Sequence, residues 1–461
     1  MMKLPEILYQ ISAVLESTNT KMVVVGGSVR DHFLHKKIKD YDIEVFGLEK
    51  LEELEIILGE FGIVKKVGKS FGVLKFIYQG LEYDFSFPRS EQKIGRGHRG
   101  FLVQTDGKMS FFDASKRRDF TINAMGYDIL TQKFLDPHGG REDMKKGILS
   151  HIDDNTFVED PLRIYRGIQF CARFEYEMAL ETKNLCKKMI AEGMLEELPK
   201  ERVYEEFKKL LLKSEKPSIG FELMRELGVL KYFPELEALI GVEQEPKWHP
   251  EGDVWIHTMM VIDSMAMFRS GDDREDLKLI FASLCHDFGK ATTTKRIDGR
   301  VRALGHEEAG VKPTISFLQK LTNEQKFIDE VVPLVRYHLL PSQFFAQKSS
   351  SKAVRRLSTK VNIEELVLVA KADFLGRDTK EAKEGIYEAG DWLLEKAKTL
   401  NVKNSATVHF LHGRDLIELG LTPSPKFKII LDQIYEMQLD GVVSSRDEAI
   451  VEVKNILEKR V

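Results

Sequence analysis

Residues 23–46 read VVVGGSVRDHFLHKKIKDYDIEVF. A β-branched run ends in two glycines, a short helix-like stretch follows, and DYDIEVF then alternates as a strand does. Residues two apart in a strand share a face, so Asp40 and Asp42 stand side by side. Two like charges there repel unless both point into water or hold something positive between them. A Gly26-Gly27 turn after a strand lets backbone N–H groups approach a phosphate. Paired carboxylates can hold one or two Mg²⁺, which bridge phosphate oxygens and acidify an attacking hydroxyl. Taken singly, each element also fits an ordinary turn or a solvated edge strand.

Working outward, PEILYQISAVLES (5–17) has helical apolar spacing, while FGVLKFIYQG (71–80) and LEYDFSF (81–87) alternate as further strands. Residues 88–116, with PRSEQKIGRGHRG, read as a long Gly- and Arg-rich loop that interrupts the sheet. Beyond about residue 150 helical periodicity dominates, with Gly and Pro at junctions such as HPEGD and GLTPSP. The fold class is therefore an α/β head with a mixed sheet followed by an all-α body. The expected division is 1–149 head, 150–235 helical neck, 236–380 a further helical domain, and 381–461 a helical tail.

A chain of 461 residues exceeds one ordinary core, and 43% hydrophobic with 31% charged is a globular balance. A net charge of −4 gives no global basic field, so any nucleic-acid contact must come from local patches. Three scattered cysteines, Cys171, Cys186 and Cys285, offer neither a disulfide framework nor a zinc ribbon. The N-terminus lacks a signal-peptide core and no run suits a membrane span. These features predict a cytoplasmic protein.

The pair GGSVRD (26–31) and DYDIEV (40–45) resembles the nucleotidyltransferase signature of the polymerase-β superfamily. KRRDFTINAMGYD (116–128) is similar, nearly letter for letter, to a motif of class II tRNA nucleotidyltransferases and bacterial poly(A) polymerases. The resemblance implies a polymerase-β-like head in which Asp40 and Asp42 hold Mg²⁺ and Asp84, from a neighbouring strand, completes the carboxylates. It assigns Arg118 and Asp119 to the incoming nucleotide's sugar and phosphates, with Asn123 nearby and Gly26, Gly27, Arg30 and Arg166 also at the nucleotide. FLDPHGGREDM (134–144) looks like the family's hinge between head and neck. LPKERVYEEFKKLL (198–211) resembles its next helical motif and is read as scaffolding without direct chemistry.

Between them lies EDPLRIYRGIQFCARF (159–174). On a helix, Glu159 and Asp160 share a face with Arg163, and the plain reading is a surface salt bridge of about 0.3–0.5 kcal/mol. The hydrogen-bond inventory allows more. A carboxylate only accepts and a guanidinium only donates. Such a pair complements the amino donor and ring-nitrogen acceptor of cytosine and adenine, and leaves uracil and guanine facing like against like. The resemblance points the same way: Glu159, Asp160 and Arg163 match the family's amino-acid template for CTP and ATP.

The body carries a second set: His249 and His257 in WHPEGDVWIHTMMV, His286-Asp287 in SLCHDFGKA, His306 in GHEEAG, His338 in RYHLLPSQ, and Asp373 in AKADFLGR. The order resembles the HD phosphohydrolase superfamily. It implies one metal site from His257, His286, Asp287 and Asp373, with His306 and His338 completing a second metal or binding phosphate. Imidazoles and carboxylates suit Mn, Ni, Co, Fe or Zn better than Mg. HPEGDVWIHT and residues 413–441 also look like bacterial tRNA nucleotidyltransferases that carry an HD domain. Basic segments 352–360 and 93–100 are candidate RNA-phosphate contacts or simply solvated faces.

The expected activity is template-independent addition of C and A to tRNA 3′ ends from CTP and ATP, with an HD hydrolase that trims 2′- or 3′-phosphates. CC-only, A-only and poly(A) specificities stay open, as does an HD hydrolase with a non-catalytic RNA-binding head.

Overall fold

The computed structural model describes residues 1–38, 40–67, 72–93 and 101–458. The chain forms two compact units. One comprises Met1–Ser214 with Ile219–Val229, the other Glu215–Ser218 with Leu230–Val461.

In the first unit the order is α1 (Glu6–Glu16), β1 (Lys21–Val25), α2 (Gly27–Phe33), β2 (Tyr41–Phe46), α3 (Leu51–Gly59), β3 (Ile63–Val67), β4 (Val73–Tyr78) and β5 (Leu81–Ser86). There follow β6 (Arg89–Lys93), β7 (Phe101–Thr105), α4 (Phe111–Lys116), β8 (Gly126–Asp128), β9 (Lys133–Leu135) and α5 (Gly140–Lys146). Seven strands make one sheet in the order β3-β4-β5-β2-β1-β8-β9. Its pairs are antiparallel except β2 with β5, which run parallel.

Alternation gives the sheet two different faces. Met22, Val24, Ile43, Val45 and Phe85 join the main core with Leu8 and Ile11 of α1. Val23, Val25 and Phe46 face the other way into a small cluster with Ala114 of α4. By the same alternation Asp42 and Glu44 belong to this second, thinly covered face.

Residues 88–116 differ from the expected loop. β6 and β7 form a separate antiparallel ribbon and α4 follows it. Charged residues among the strand positions hide the alternation that would have announced the ribbon. Most of the proposed 93–100 phosphate contact lies outside the described residues.

The neck contributes α6 (Asp154–Phe157), α7 (Leu162–Phe174), α8 (Leu180–Ala191) and α9 (Lys200–Lys213). α7 packs along α9, burying Ile164, Ile168 and Tyr165 on one and Val203, Phe207 and Leu210 on the other. α7 begins later than the 159–174 motif suggested. Proline lacks an N–H and disfavours helix at the residue before it, so Pro161 leaves Glu159 and Asp160 in the preceding turn.

In the second unit, helices Val254–Ala266, Asp273–Cys285, Gln325–Tyr337 and Ile363–Leu375 pack on one another. A short antiparallel ribbon, Thr294–Ile297 with Arg300–Ala303, follows the second helix. Helices Lys426–Asp440 and Arg446–Glu458 have a core of their own, with Leu416, Ile430, Ile434 and Val453. The basic segment 352–360 is largely helix Ser351–Ser358, where Arg356 pairs with Glu436 and Asp440, and Lys352 with Asp440. No described helix is long and apolar enough to cross a membrane.

Candidate functional sites

The first site grows from the β1–α2 turn and the end of β2. Val25 pairs with Asp42, and Asp42 lies directly opposite Asp84 across the parallel β2–β5 ladder. The two carboxylates therefore share the open face of the sheet. Asp84 Oδ1 is buried without a hydrogen-bond partner. Desolvation lifts the Asp42 carboxyl above its ordinary range, Arg118 opposes the rise, and Asp84, Asp40 and Glu44 add to it. Crowded carboxylates with an orphaned oxygen are the donor set a hard divalent cation fits.

Gly26 makes the approach possible. Its backbone sits at φ 73° and ψ −134°, which is glycine territory. A Cβ there would stand 2.8 Å from Arg118 Nη1 and 3.7 Å from Asp42 Oδ2. Arg118 and Arg117 each donate to Glu44 Oε1, at 3.0 and 2.7 Å. Glu44 is 1% exposed; sequence reading passed over it, although its place two residues after Asp42 on the same face was a usable signal.

A hydrogen-bonded chain runs behind these groups. Arg30 donates to Asp31 at 2.7 Å and to Asn123 Oδ1 at 2.6 Å. Asn123 donates to Asp119 Oδ1 at 2.9 Å, and Arg166 Nε donates to Asp119 Oδ2 at 2.7 Å. Burial alone would raise Asp119, yet Arg166, Asn123 and Arg163 overrule it and hold its carboxyl below the usual range.

Asp160 and Arg163 do not pair with each other as the helical spacing suggested. Asp160 Oδ1 accepts Leu162 N at 3.1 Å, and Asp160 Oδ2 accepts Arg202 Nη2 of α9 at 2.9 Å. Arg163 donates to the carbonyls of Thr156 at 2.8 Å and Arg117 at 2.7 Å. Because Pro161 keeps Asp160 off the helix, its carboxylate is held from α9, and the segment read as scaffolding supplies a site residue. Nothing local marked Arg202.

One cleft of about 440 Å³ is lined by Gly26, Gly27, Arg30, Asp42, Arg118, Asp119, Asn123, Asp160, Arg163, Arg166 and the unforeseen Arg202. Asp40 lines an adjoining cleft of about 500 Å³, which shares Gly27, Arg30 and Asp42. Asp84 and Glu159 line neither.

The second site lies among the HD-region helices. His257, His286 and Asp373 bring ligand atoms within 4.8 Å of one another, as do Asp287, His306 and His338. Nδ1 of His286, His306 and His338 each donates to a carbonyl three residues earlier, at 2.7 Å to Ser283, Ala303 and Val335. That fixes the tautomer and turns the Nε2 lone pairs inward. His306 Nε2 and His338 Nε2 consequently face each other at 3.4 Å. His286 Nε2 and both Asp287 oxygens are buried without a hydrogen bond of good geometry. Imidazole lone pairs converging beside buried carboxylates fit a divalent cation bound by nitrogen and oxygen.

Charge around this centre is tuned in both directions. Burial opposes ionisation of Asp287, yet His286 and Lys290 hold it well below the carboxylate range; Lys290 Nζ is 2.7 Å away. Burial pushes His338 down to about 3, helped by His286 and His306. His257 is depressed by burial but raised overall by Asp373, at 3.1 Å, and by Glu251, at 2.9 Å. Glu251 also accepts His249 Nδ1 at 2.8 Å, and Arg377 grips Asp373 at 3.0 Å. Gly289 lets the His286-Asp287 corner meet the next segment, since a Cβ there would fall 1.9 Å from His306 O. Sequence reading missed Glu251, Lys290 and Arg377. The last two stand one helical turn after Asp287 and Asp373, a signal available from spacing alone.

Three families match along the chain: the poly A polymerase head domain over 22–150, the probable RNA- and SrmB-binding site of polymerase A over 175–240, and the HD domain over 254–378. The nucleotidyltransferase and HD types both imply divalent-metal use. The multifunctional CCA protein of Pasteurella multocida (strain Pm70) is 34% identical over 94% of this chain and 99% of its own length. Among solved structures, the Bacillus stearothermophilus CCA-adding enzyme in complex with CTP aligns with a TM-score of 0.68 at 21% identity, covering 100% of both chains. The Thermotoga maritima CCA-adding enzyme complexed with tRNA aligns with a TM-score of 0.61 at 22% identity, over 99% of this chain and 96% of that one. With its head, its polymerase A RNA-binding segment and its HD domain matched, and 34% identity to the Pasteurella protein over nearly its full length, the chain belongs to the class II tRNA nucleotidyltransferase family, in the bacterial branch that carries an HD domain.

Proposed function

We propose that the chain adds C, C and A to tRNA 3′ ends from CTP and ATP, and that its HD centre hydrolyses 2′- or 3′-phosphates at RNA ends. The observation that carries the first part is the single cleft uniting Gly26, Asp42 and Arg118 with Asp160, Arg163 and Arg202. It brings phosphate-type, carboxylate and base-edge groups within reach of one nucleotide.

Gly26, Gly27 and Arg118 receive the triphosphate while Asp119, through Asn123 and Arg166, steadies the sugar end. Asp40 and Asp42, with Asp84 opposite Asp42, would hold Mg²⁺, which would neutralise the phosphates. The RNA 3′-hydroxyl oxygen bonds to the α-phosphorus, the α–β bridging bond breaks, and pyrophosphate leaves with the electron pair. Asp84 is suited to accept the hydroxyl proton. Most of the acceleration is positioning and charge neutralisation.

Base choice follows from donor and acceptor character. Asp160 Oδ2 accepts Arg202 Nη2 and has a second lone pair for a base amino group, while Arg163 presents a donor-only guanidinium to the same cleft. Asp160 accepts the amino group of C or A and Arg163 donates to the neighbouring acceptor; U and G meet like against like. Glu159 stays a supporting member of the turn.

At the HD centre His257, His286, Asp287 and Asp373 would hold the first metal, with His306 and His338 for a second metal or for phosphate. A transition metal such as Mn, Ni, Co, Fe or Zn would polarise the phosphoryl group and acidify water. Lys290 and Arg377, at the cavity beside it, stabilise phosphate charge. The tRNA substrate and the scattered cysteines favour a cytoplasmic location.

The test uses three tRNA transcripts, ending at the discriminator base, after the first C and after the second C, incubated with Mg²⁺ and CTP, ATP or both. Completion to CCA on all three, without U or G, is the expected result. Arrest at CC, addition of A alone, or an A tail of indefinite length refutes it. Asp42→Ala should abolish transfer, and Asp287→Ala should abolish phosphate release from a 2′- or 3′-phosphorylated RNA.

A further inference from the structure

Glu44 takes a carboxylate into the interior of the head, where it is 1% exposed. Such a placement is costly unless opposite charge meets it. Its Oε1 accepts Arg117 Nη2 at 2.7 Å and Arg118 Nη2 at 3.0 Å. Of the two arginines, Arg118 lines the nucleotide cleft and Arg117 does not. Arg117 reaches the cleft by another route: its carbonyl accepts Arg163 Nη2 at 2.7 Å. We propose that Glu44 is a positioning residue that sets two arginines at once, aiming Arg118 at the triphosphate directly and the base-reading Arg163 through Arg117. This rests on the nucleotidyltransferase reading given above and deepens it.

Three observations carry the assignment. The first is where the carboxylate is mounted. β2 lies between β1 and β5, and Glu44 stands opposite Val23 on one side and Ser86 on the other. Its backbone is therefore fixed from both edges, and it shares a face with Asp42 two residues earlier. The strand that brings Asp42 to the cleft thus brings the anchor as well. The second is that one oxygen takes both guanidinium groups, so neither arginine can shift without disturbing the other. The third is how Arg163 is aimed. Its guanidinium is gripped by two carbonyls, Arg117 O and, at 2.8 Å, Thr156 O. Those two segments are tied to each other, since Thr156 Oγ1 donates to Lys116 O at 3.3 Å and Lys116 Nζ meets Asp153 at 3.2 Å. A guanidinium is a rigid planar fork, so two fixed carbonyls fix the direction of its remaining N–H groups. Hydrogen bonds weaken steeply when misaligned. A small displacement of residues 116–118 consequently costs discrimination between bases as well as hold on the phosphates, and both depend on one carboxylate of the central strand.

The experiment compares the full-length wild type with Glu44→Gln, Arg117→Ala and Arg118→Ala, each checked for folding by its thermal midpoint. Values of kcat/KM for CTP and for UTP are measured by single-nucleotide extension of a tRNA lacking its terminal CCA. In Glu44→Gln an amide oxygen still accepts from both arginines but the charge is gone, and a charge-assisted hydrogen bond is about twice as strong as a neutral one. The value for CTP should fall roughly 5- to 30-fold and the CTP-over-UTP ratio about fivefold. A simple loss of folded protein would lower both substrates together and leave the ratio unmoved. Arg117→Ala cuts only the branch to Arg163, so the ratio should again fall about fivefold. Arg118→Ala cuts only the branch to the phosphates, so CTP and UTP should suffer alike, with the ratio kept within about twofold. An unchanged ratio in Glu44→Gln or Arg117→Ala, or an equal fall in Arg118→Ala, overturns the proposal. Calorimetric binding of CTP and UTP to the same proteins gives the ratio independently of turnover and replaces it where extension is too weak to measure. If the wild type extends no tRNA, the nucleotidyltransferase reading fails by itself and the binding ratio decides the role of Glu44: a lower ratio in Glu44→Gln supports it and an equal one overturns it.

Discussion

Replacing Gly26 by Ala tests the nucleotide cleft at its tightest point. The backbone there has φ 73° and ψ −134°, a region costing a non-glycine residue about 1–3 kcal/mol. The added Cβ would also sit 2.8 Å from Arg118 Nη1. Arg118 cannot simply swing aside, because its other nitrogen is bonded to Glu44 at 3.0 Å and Glu44 is almost fully buried. The guanidinium is therefore pushed off its phosphate-facing position. Losing a hydrogen bond to a charged group is worth about 1.5–3 kcal/mol, which predicts a fall of roughly 10- to 150-fold in kcat/KM for CTP. The assay is single-nucleotide extension of a tRNA lacking its terminal CCA, with folding checked by circular dichroism. A double-mutant cycle sharpens it. If the damage runs through Arg118, Gly26→Ala should cost under about threefold more in an Arg118→Ala background, because coupled neighbours are non-additive. Gly27→Ala, whose Cβ would meet Arg30 Nη2 at 3.3 Å with no strained φ, should be clearly milder. Wild-type turnover in Gly26→Ala, or full additivity with Arg118→Ala, would refute the reasoning.

Arg202→Ala leaves Asp160 without the partner that holds Oδ2 at 2.9 Å; CTP-over-UTP selectivity should drop about tenfold, and Arg163→Ala should broaden or abolish base use, both read by competition extension. An unchanged preference in either variant counts against base reading by the pair. Asp119 is held below its ordinary 3.8, so its stabilising contribution is fully present above that value and lost as pH falls through the lower folded one. In urea titrations, the gap between wild type and Asp119→Asn should be constant above about pH 4.5 and shrink below about pH 4; a gap growing toward acid reverses the sign and the argument. Returning Mn²⁺ or Ni²⁺ to metal-stripped protein should raise its thermal midpoint, by about 2.7 kcal/mol of stability at a hundredfold excess over Kd. His338→Ala with Asp287→Ala should remove that gain.

The chemistry-bearing positions were legible because each stands in a short stretch whose period places it. DYDIEVF alternates, so Asp42 had to share a face with Glu44 and oppose Ile43 and Val45 whatever the rest of the chain did. The His and Asp set of the second unit was likewise readable as a series, and six of its seven residues converge in the two ligand clusters, His249 lying instead with Glu251 beside His257. The ribbon at β6–β7 was not legible, since β6, RSEQK, is charged and polar throughout and offers no apolar alternation to pair with β7. Pro161 was visible, and its known effect on Asp160 should have moved the start of α7.

What only the tertiary structure decided is who holds whom. Asp160 could have met Arg163 three residues away; it meets Arg202 because α9 packs along α7 and brings the arginine to a carboxylate that Pro161 holds off the helix. Asp42 faces Asp84 because β2 and β5 pair in parallel, and no local pattern states that register. Lone pairs of His306 and His338 meet only because the short helix His306–Ala309 packs on Gln325–Tyr337, each ring fixed through a carbonyl three residues earlier. Sequence by itself determined the type of chemistry, because side-chain identity and local period are properties of the chain. Tertiary structure decided the partners, because hydrogen bonds and ion pairs reach about 3 Å and segments distant in sequence enter that range only through the packing of their apolar faces.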